Sequence, residues 1–163
     1  MSAVEVSIAD AMVSDLDGAS LSQTFTPVRS YADWVQPLEQ DDALKESTLY
    51  VDVVPVATAQ EIDAASQVTL AYTCPIDVAV RYKFGQDKMD SDNGRVVLAE
   101  IDKLMLLVQE IHELFTLRRM QSFNDAAWQG TKRLVAPHKP HLRDFRQFTG
   151  IVRVTFTAHR KVV

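Results

Sequence analysis

One cysteine, five glycines and a single acidic residue in the last 35 positions are the scarcities that constrain this chain most. Cys74 has no second thiol for an internal disulfide, and one thiolate cannot build a cysteine metal cluster. It falls on the apolar face of a strand pattern, where a thiol packs as a small hydrophobe. So few glycines leave little material for a phosphate-cradling turn, and no dinucleotide fingerprint, Walker-type loop or GxSxG turn occurs. No apolar run approaches the roughly 18 residues that a bilayer span needs. The opening MSAVEVSIAD lacks a basic patch followed by an apolar stretch, which argues against a secretory signal and makes maturation in a cytosol the expectation.

The shortage of acids at the end has a counterpart at the beginning. Residues 1–128 carry 9 Lys and Arg against 21 Asp and Glu, a net of −12, whereas residues 129–163 carry 8 against 1, a net of +7. An acidic body and a basic end can attract each other, a neighbouring copy, or a polyanion. With 163 residues, 47% of them hydrophobic, and a mean hydropathy of −0.07, residues 1–163 are expected to form one soluble domain.

Alternation is what the chain has in abundance. From Val68 to Phe84 every even position is apolar or aromatic, among them Cys74, Ile76, Val78, Val80 and Tyr82, while Asp77, Arg81 and Lys83 fall on odd positions. A strict period of two marks a strand with one buried and one open face. At about 3.3 Å per residue the run would reach roughly 56 Å. A compact chain of this length has a radius of gyration near 15 Å, a globule about 40 Å across. The pattern therefore predicts a strand that outgrows its own domain and projects as a hairpin arm over about residues 66–92, partly sheltered by another copy, unless Pro75 splits the run.

The remaining segments outline a helix and strands around that run. Ser7 and Asp10 have capping-box spacing at the head of a short helix ending near Asp17 with Gly18 as its C-cap, and Leu49–Val56 is rich in β-branched residues. Trp34, Pro37 and the acids Glu39, Asp41 and Asp42 read as a mobile loop, and Thr58–Ser66 as a brief helical turn. Val97, Ile101, Leu104, Val108, Ile111 and Phe115 form one stripe of a helix of about 20 residues, with Leu106 stranded on its polar side. Lys132–Val135 and Gly150–His159 read as the last strands. With no βαβ repeat, the order predicts an α+β fold: a mostly antiparallel sheet with an extended β-hairpin, and the long helix and short N-terminal helix packed on one face.

Chemistry-bearing motifs fail on their spacing. EIHELF lacks a second histidine four residues beyond His112, where Thr116 stands. PHKPH places His138 and His141 three apart without a third ligand, and Lys139 between them opposes a cation. DSDNG enters a helix before an EF-hand could gather its remaining oxygens. Asp52 and Asp77 could pair as carboxylates on neighbouring strands but read as outward residues of an open face. The expectation is no enzyme, no metal and no cofactor. A small ligand-binding or enzymatic domain whose site leaves no motif is the contrary reading. Another is a nucleic-acid-binding module, using Lys132, Arg133, Lys139, Arg143, Arg146, Arg153, Arg160 and Lys161 with Phe145, Phe148 and Phe156 interleaved.

The pieces PIDVAVRYKFG, GRVVLAEIDKLMLLVQEIHELF and FTGIVRVTFTAHR, in that order, make the chain resemble the tail-terminator, or tail-completion, proteins of long-tailed bacteriophages, prophages and gene transfer agents. The resemblance implies a homo-oligomeric ring, a hexamer, that caps the tail tube, ends its polymerisation and joins it to the neck. The implied partners are the tail tube protein and a neck or connector protein, with weak contact to DNA passing through the lumen and none with membrane. It places the protein in the virion, at the head-proximal end of the tail, after assembly in the host cytoplasm. A neck or head-completion protein is the near alternative. The candidate contact residues are Asp77, Arg81, Tyr82, Lys83, Phe84, Leu106, Arg143, Arg146 and Arg153.

Overall fold

The computed structural model describes residues 3–38, 46–57, 59–62, 69–116 and 126–161. Among them are three α-helices, α1 (Val4–Asp17), α2 (Leu98–Phe115) and α3 (Lys139–Phe145), and six strands. The strands are β1 (Pro27–Arg29), β2 (Leu49–Pro55), β3 (Ala59–Ile62), β4 (Thr69–Lys83), β5 (Ala126–Val135) and β6 (Gln147–Lys161). They form one sheet in the order β1-β2-β4-β6-β5, with β3 paired to the free end of β4. Only β1 and β2 run parallel; the protein has an α+β fold on a mostly antiparallel sheet.

The long alternating run is one strand, and Pro75 does not divide it. The Pro75 carbonyl accepts from the Val56 N–H at 3.0 Å, so its missing N–H faces the same side, between the end of β2 at Pro55 and the start of β3 at Ala59. The proline thus stands where the ladder has no strand to receive a donor. On the opposite side β4 pairs with β6 over its whole length, from Thr69↔Lys161 to Lys83↔Gln147.

This pairing corrects the expectation that another copy must shelter the strand. The cover comes from the same chain: β6 has the same length as β4, and Cys74, Ile76, Val78 and Val80 are all fully buried beneath α1 and α2. The hairpin is also differently built. Its partner is the upstream strand β3, whereas Gln86–Lys88 form a 3₁₀ turn leading toward α2. Ala158, opposite Tyr72, is buried on this face, and β4 and β6 stay paired for three residues beyond it, about 10 Å at strand rise.

α1 buries Ile8, Met12 and Leu16, one side chain per turn, along with Ala9 and Ala11. It starts three residues before the expected cap: Ser7 lies inside the helix and its hydroxyl donates to the Ala3 carbonyl. α2 buries Leu104, Leu107, Val108, Ile111 and Phe115 against β6 and β5. Segment 19–26 is fastened to α2 where Glu110 accepts from both the backbone N–H and the hydroxyl of Ser22, at 2.9 and 2.6 Å. The expected helical turn near Thr58–Ser66 is instead β3 over Ala59–Ile62, and residues 63–68 lie outside the described residues. Among the described residues no helix is long and apolar enough to cross a membrane.

Candidate interaction surfaces

The odd face of the sheet is not open. α3 and the segment after β1 lie over the end formed by the C-terminal half of β4 and the N-terminal half of β6, so that Ala79, Thr149 and Ile151 are fully buried there. Asp77 is 1% exposed, and its carboxylate receives the Arg153 guanidinium through both oxygens, at 2.7 and 2.9 Å, and the indole N–H of Trp34 at 3.2 Å. Hydrogen bonding to Asp77 raises the Arg153 pKa above its ordinary value, against the lowering effect of burial. Further along β4, Arg81 holds Asp52 of the adjacent strand β2 at 2.7 Å. The two aspartates thus each neutralise an arginine and do not form a carboxylate pair.

A second polar cluster pins residues 35–38. The Leu38 N–H donates to Gln147 Oε1 at 2.7 Å, and Gln147 Nε2 donates to Thr149 Oγ1 at 2.9 Å. His141 Nδ1 lies 2.9 Å from Thr149 Oγ1 and its Nε2 lies 3.0 Å from the Val35 carbonyl. Because a carbonyl can only accept, Nε2 carries the proton and Nδ1 accepts from the threonine hydroxyl, a tautomer assigned from its partners. The chain of bonds begins and ends on the same segment. The stretch expected to be mobile is therefore tied down as far as Leu38, while Glu39, Asp41 and Asp42 lie outside the described residues.

Burial first, and then the neighbouring charge of His138, push the His141 pKa below the ordinary value near 6.5. The native state then binds fewer protons than the unfolded state, so stability is greatest above that value and falls as pH drops through the depressed native one. Urea midpoints measured from pH 7.5 down to 5 should decline, and His141→Gln should flatten that decline while lowering the midpoint at neutral pH.

These contacts redistribute the candidate contact residues. Asp77 and Phe84 are interior, and Arg81 and Lys83 are each only 8% exposed, so none of the four offers a docking surface. A glutamate at position 81 would set a second carboxylate against Asp52 inside the subunit, making charge reversal there a fold lesion and not the interface probe that an open odd face implied. Arg153 is spent on Asp77, and Tyr82 is half-buried with its ring edge-on to Phe84. Leu106, Arg143 and Arg146 remain reachable; Leu106 is 48% exposed on the outer side of α2, as its place in the helical pattern requires. The basic segment is similarly dispersed: Phe148 and Phe156 are core residues and Phe145 packs against His141, which removes them as stacking platforms.

Arg143 and Arg146 border a groove of about 430 Å³ between α3 and the start of α2. Its floor is Met89, Val96, Ile101 and Leu142, with Leu98 standing 76% exposed beside it. Arg95, Lys139, Arg143 and Arg146 surround it, and no acidic residue among the described residues lines it. Arg143 is partnered by Asp144, and Arg146 by Gln86 at 2.7 Å and by the Glu46 carboxylate at 3.9 Å, whereas Arg95 and Lys139 have no side-chain partner among the described residues. The turn ahead of α2 is organised by Asp90, which accepts from Asp92 N–H and Asn93 Nδ2, with Gly94 at φ +64°. The volume lies in the range of binding pockets, and apolar floor with cationic rim suits a ligand that is apolar and acidic at once.

Trp34, His141, Gln147 and Thr149 are the residues that sequence reasoning missed. PHKPH did carry a signal: the spacing of three fits an N-cap, and His138 Nδ1 accepts from the His141 N–H at 3.3 Å with Pro140 in the first turn of α3. No protein-family model and no curated protein matches the chain.

Proposed function

We propose that the chain is the structural subunit of a ring that caps the tail tube of a long-tailed phage particle, ends tube growth and provides the docking surface for the neck. The supporting observation is the pair of uncovered apolar regions on unlike parts of the subunit. One comprises Val28 on β1 with Tyr31 and Val35 just beyond it, exposed by 51, 71 and 53%; the other is the outer face of α2 with Leu98 and Leu106. Apolar groups grouped at the surface mark contact sites, and two unlike sites on one subunit join head to tail, the mode of association that closes rings. The order of elements that underlies the resemblance to tail-terminator proteins agrees with this reading. The tube and neck proteins are its partners, and the virion tail is its location.

Mass measurement by light scattering, with and without tube protein, tests the proposal. A discrete multiple of the 18.3 kDa chain in either condition is the expected result, and monomers in both overturn it.

A further inference from the structure

The groove beside α3 and the exposed segment after β1 are complementary in kind. The groove offers an apolar floor beneath four cations, and Arg95 and Lys139 have no side-chain partner among the described residues. The segment offers Tyr31 and Val35 on either side of Asp33, whose carboxylate is exposed and, among the described residues, accepts only the Val35 N–H at 3.0 Å. The segment is held by the Trp34 indole N–H on Asp77 and by the Val35 carbonyl on His141, so the two apolar side chains are presented on a fixed support. A preorganised protrusion loses little conformational freedom on docking.

We propose that the groove lined by Leu98, Lys139 and Arg143 receives the Tyr31–Val35 segment of a second copy of this chain, with Asp33 set against the cationic rim. The proposal rests on the ring reading and names the contact that would join its subunits. Each subunit offers one groove and one protrusion, so the contact is head to tail and every subunit can use both. Its charges lie at the surface, so association weakens as salt rises.

A charge exchange tests the contact. Arg95→Glu with Lys139→Glu and Arg143→Glu reverses the groove, whose rim passes from four positive charges to a net of −2, and Asp33→Lys reverses the protrusion. Each variant alone should self-associate about a hundredfold more weakly than the wild type because like charges then meet across the contact. Mixed one to one, the two variants should recover the wild-type mass, since the reversed groove matches the reversed protrusion and the unreversed pair still matches. Circular dichroism and urea midpoints near the wild type show that each variant is folded. Wild-type assembly that persists in both single variants overturns this contact and leaves the ring reading standing. A mixture that fails to recover also overturns it. Monomeric wild type at every concentration and with tube protein present overturns both.

Discussion

Asp77→Ala is expected to lower the free energy of unfolding by about 2–3 kcal/mol, read as a shift of the urea midpoint at unchanged slope. Removing one member of a buried ion pair costs about 3–5 kcal/mol because the other charge stays behind without a partner. Here the Arg153 side chain is 28% exposed and recovers part of that loss from water, which sets the lower figure. The Trp34 indole also loses its acceptor, and with it the fastening of residues 31–38 to the sheet. A red shift of Trp34 emission should therefore precede global unfolding, with Trp34→Phe identifying the signal against Trp128. Asp77→Val combined with Arg153→Leu should recover most of the stability, since an apolar pair leaves no charge uncompensated. Arg143→Ala is the contrast: its carboxylate partner Asp144 is a surface neighbour, and the midpoint should stay where it is.

How far the sequence disclosed this arrangement depends on whether a signal was local. Periodicity is local, so the span of β4, the buried stripe of α2 from Leu104 to Phe115 and the outward Leu106 were readable from spacing, whereas Val97, placed on that stripe, is the exposed residue ahead of the helix. The antiparallel α+β class followed from their order. What covers a face is not local. The odd positions of β4 carry Asp77, Ala79, Arg81 and Lys83, a composition that reads as solvated. The cover of Asp77 comes from Trp34, 43 positions upstream, and Arg153, 76 positions downstream. The same limit applies to the length of β4: a run too long for the globule implied a second copy only while the matching reach of β6, from Gln147 to Lys161, was unread. Short elements were hidden for another reason. α3 has seven residues and a proline in its first turn, too little for a helical period to show, and its signal lay in the His138–His141 spacing, which metal chemistry also uses. The groove was the least legible feature, because Met89, Ile101 and Leu142 come from three segments and meet only in the fold.

Gly150 illustrates the same point with a comparable expected penalty. In the sequence it reads as a turn glycine opening the last strand, whereas it lies within β6, opposite Val80 and directly beneath α2. A Cβ placed there would come 2.6 Å from Val108 Cγ2 and 3.0 Å from Phe148 Cε1, inside van der Waals contact with two core side chains. The missing side chain is what lets the helix approach the sheet so closely, the role that glycine plays inside a strand when another element must pack against its backbone. Gly150→Ala should cost about 1–3 kcal/mol through overpacking, and Gly150→Val more, since two further methyl groups must displace α2. Val108→Ala alone should also destabilise, by opening a cavity at the same spot. Combined with Gly150→Ala it should cost less than the two single losses added together, because the space one change opens is the space the other fills. Thermal or urea unfolding of the four proteins in this cycle measures the coupling directly. Losses that simply add would mean that β6 yields at Gly150 without touching Val108, and that the approach of α2 to the sheet is set elsewhere along the helix.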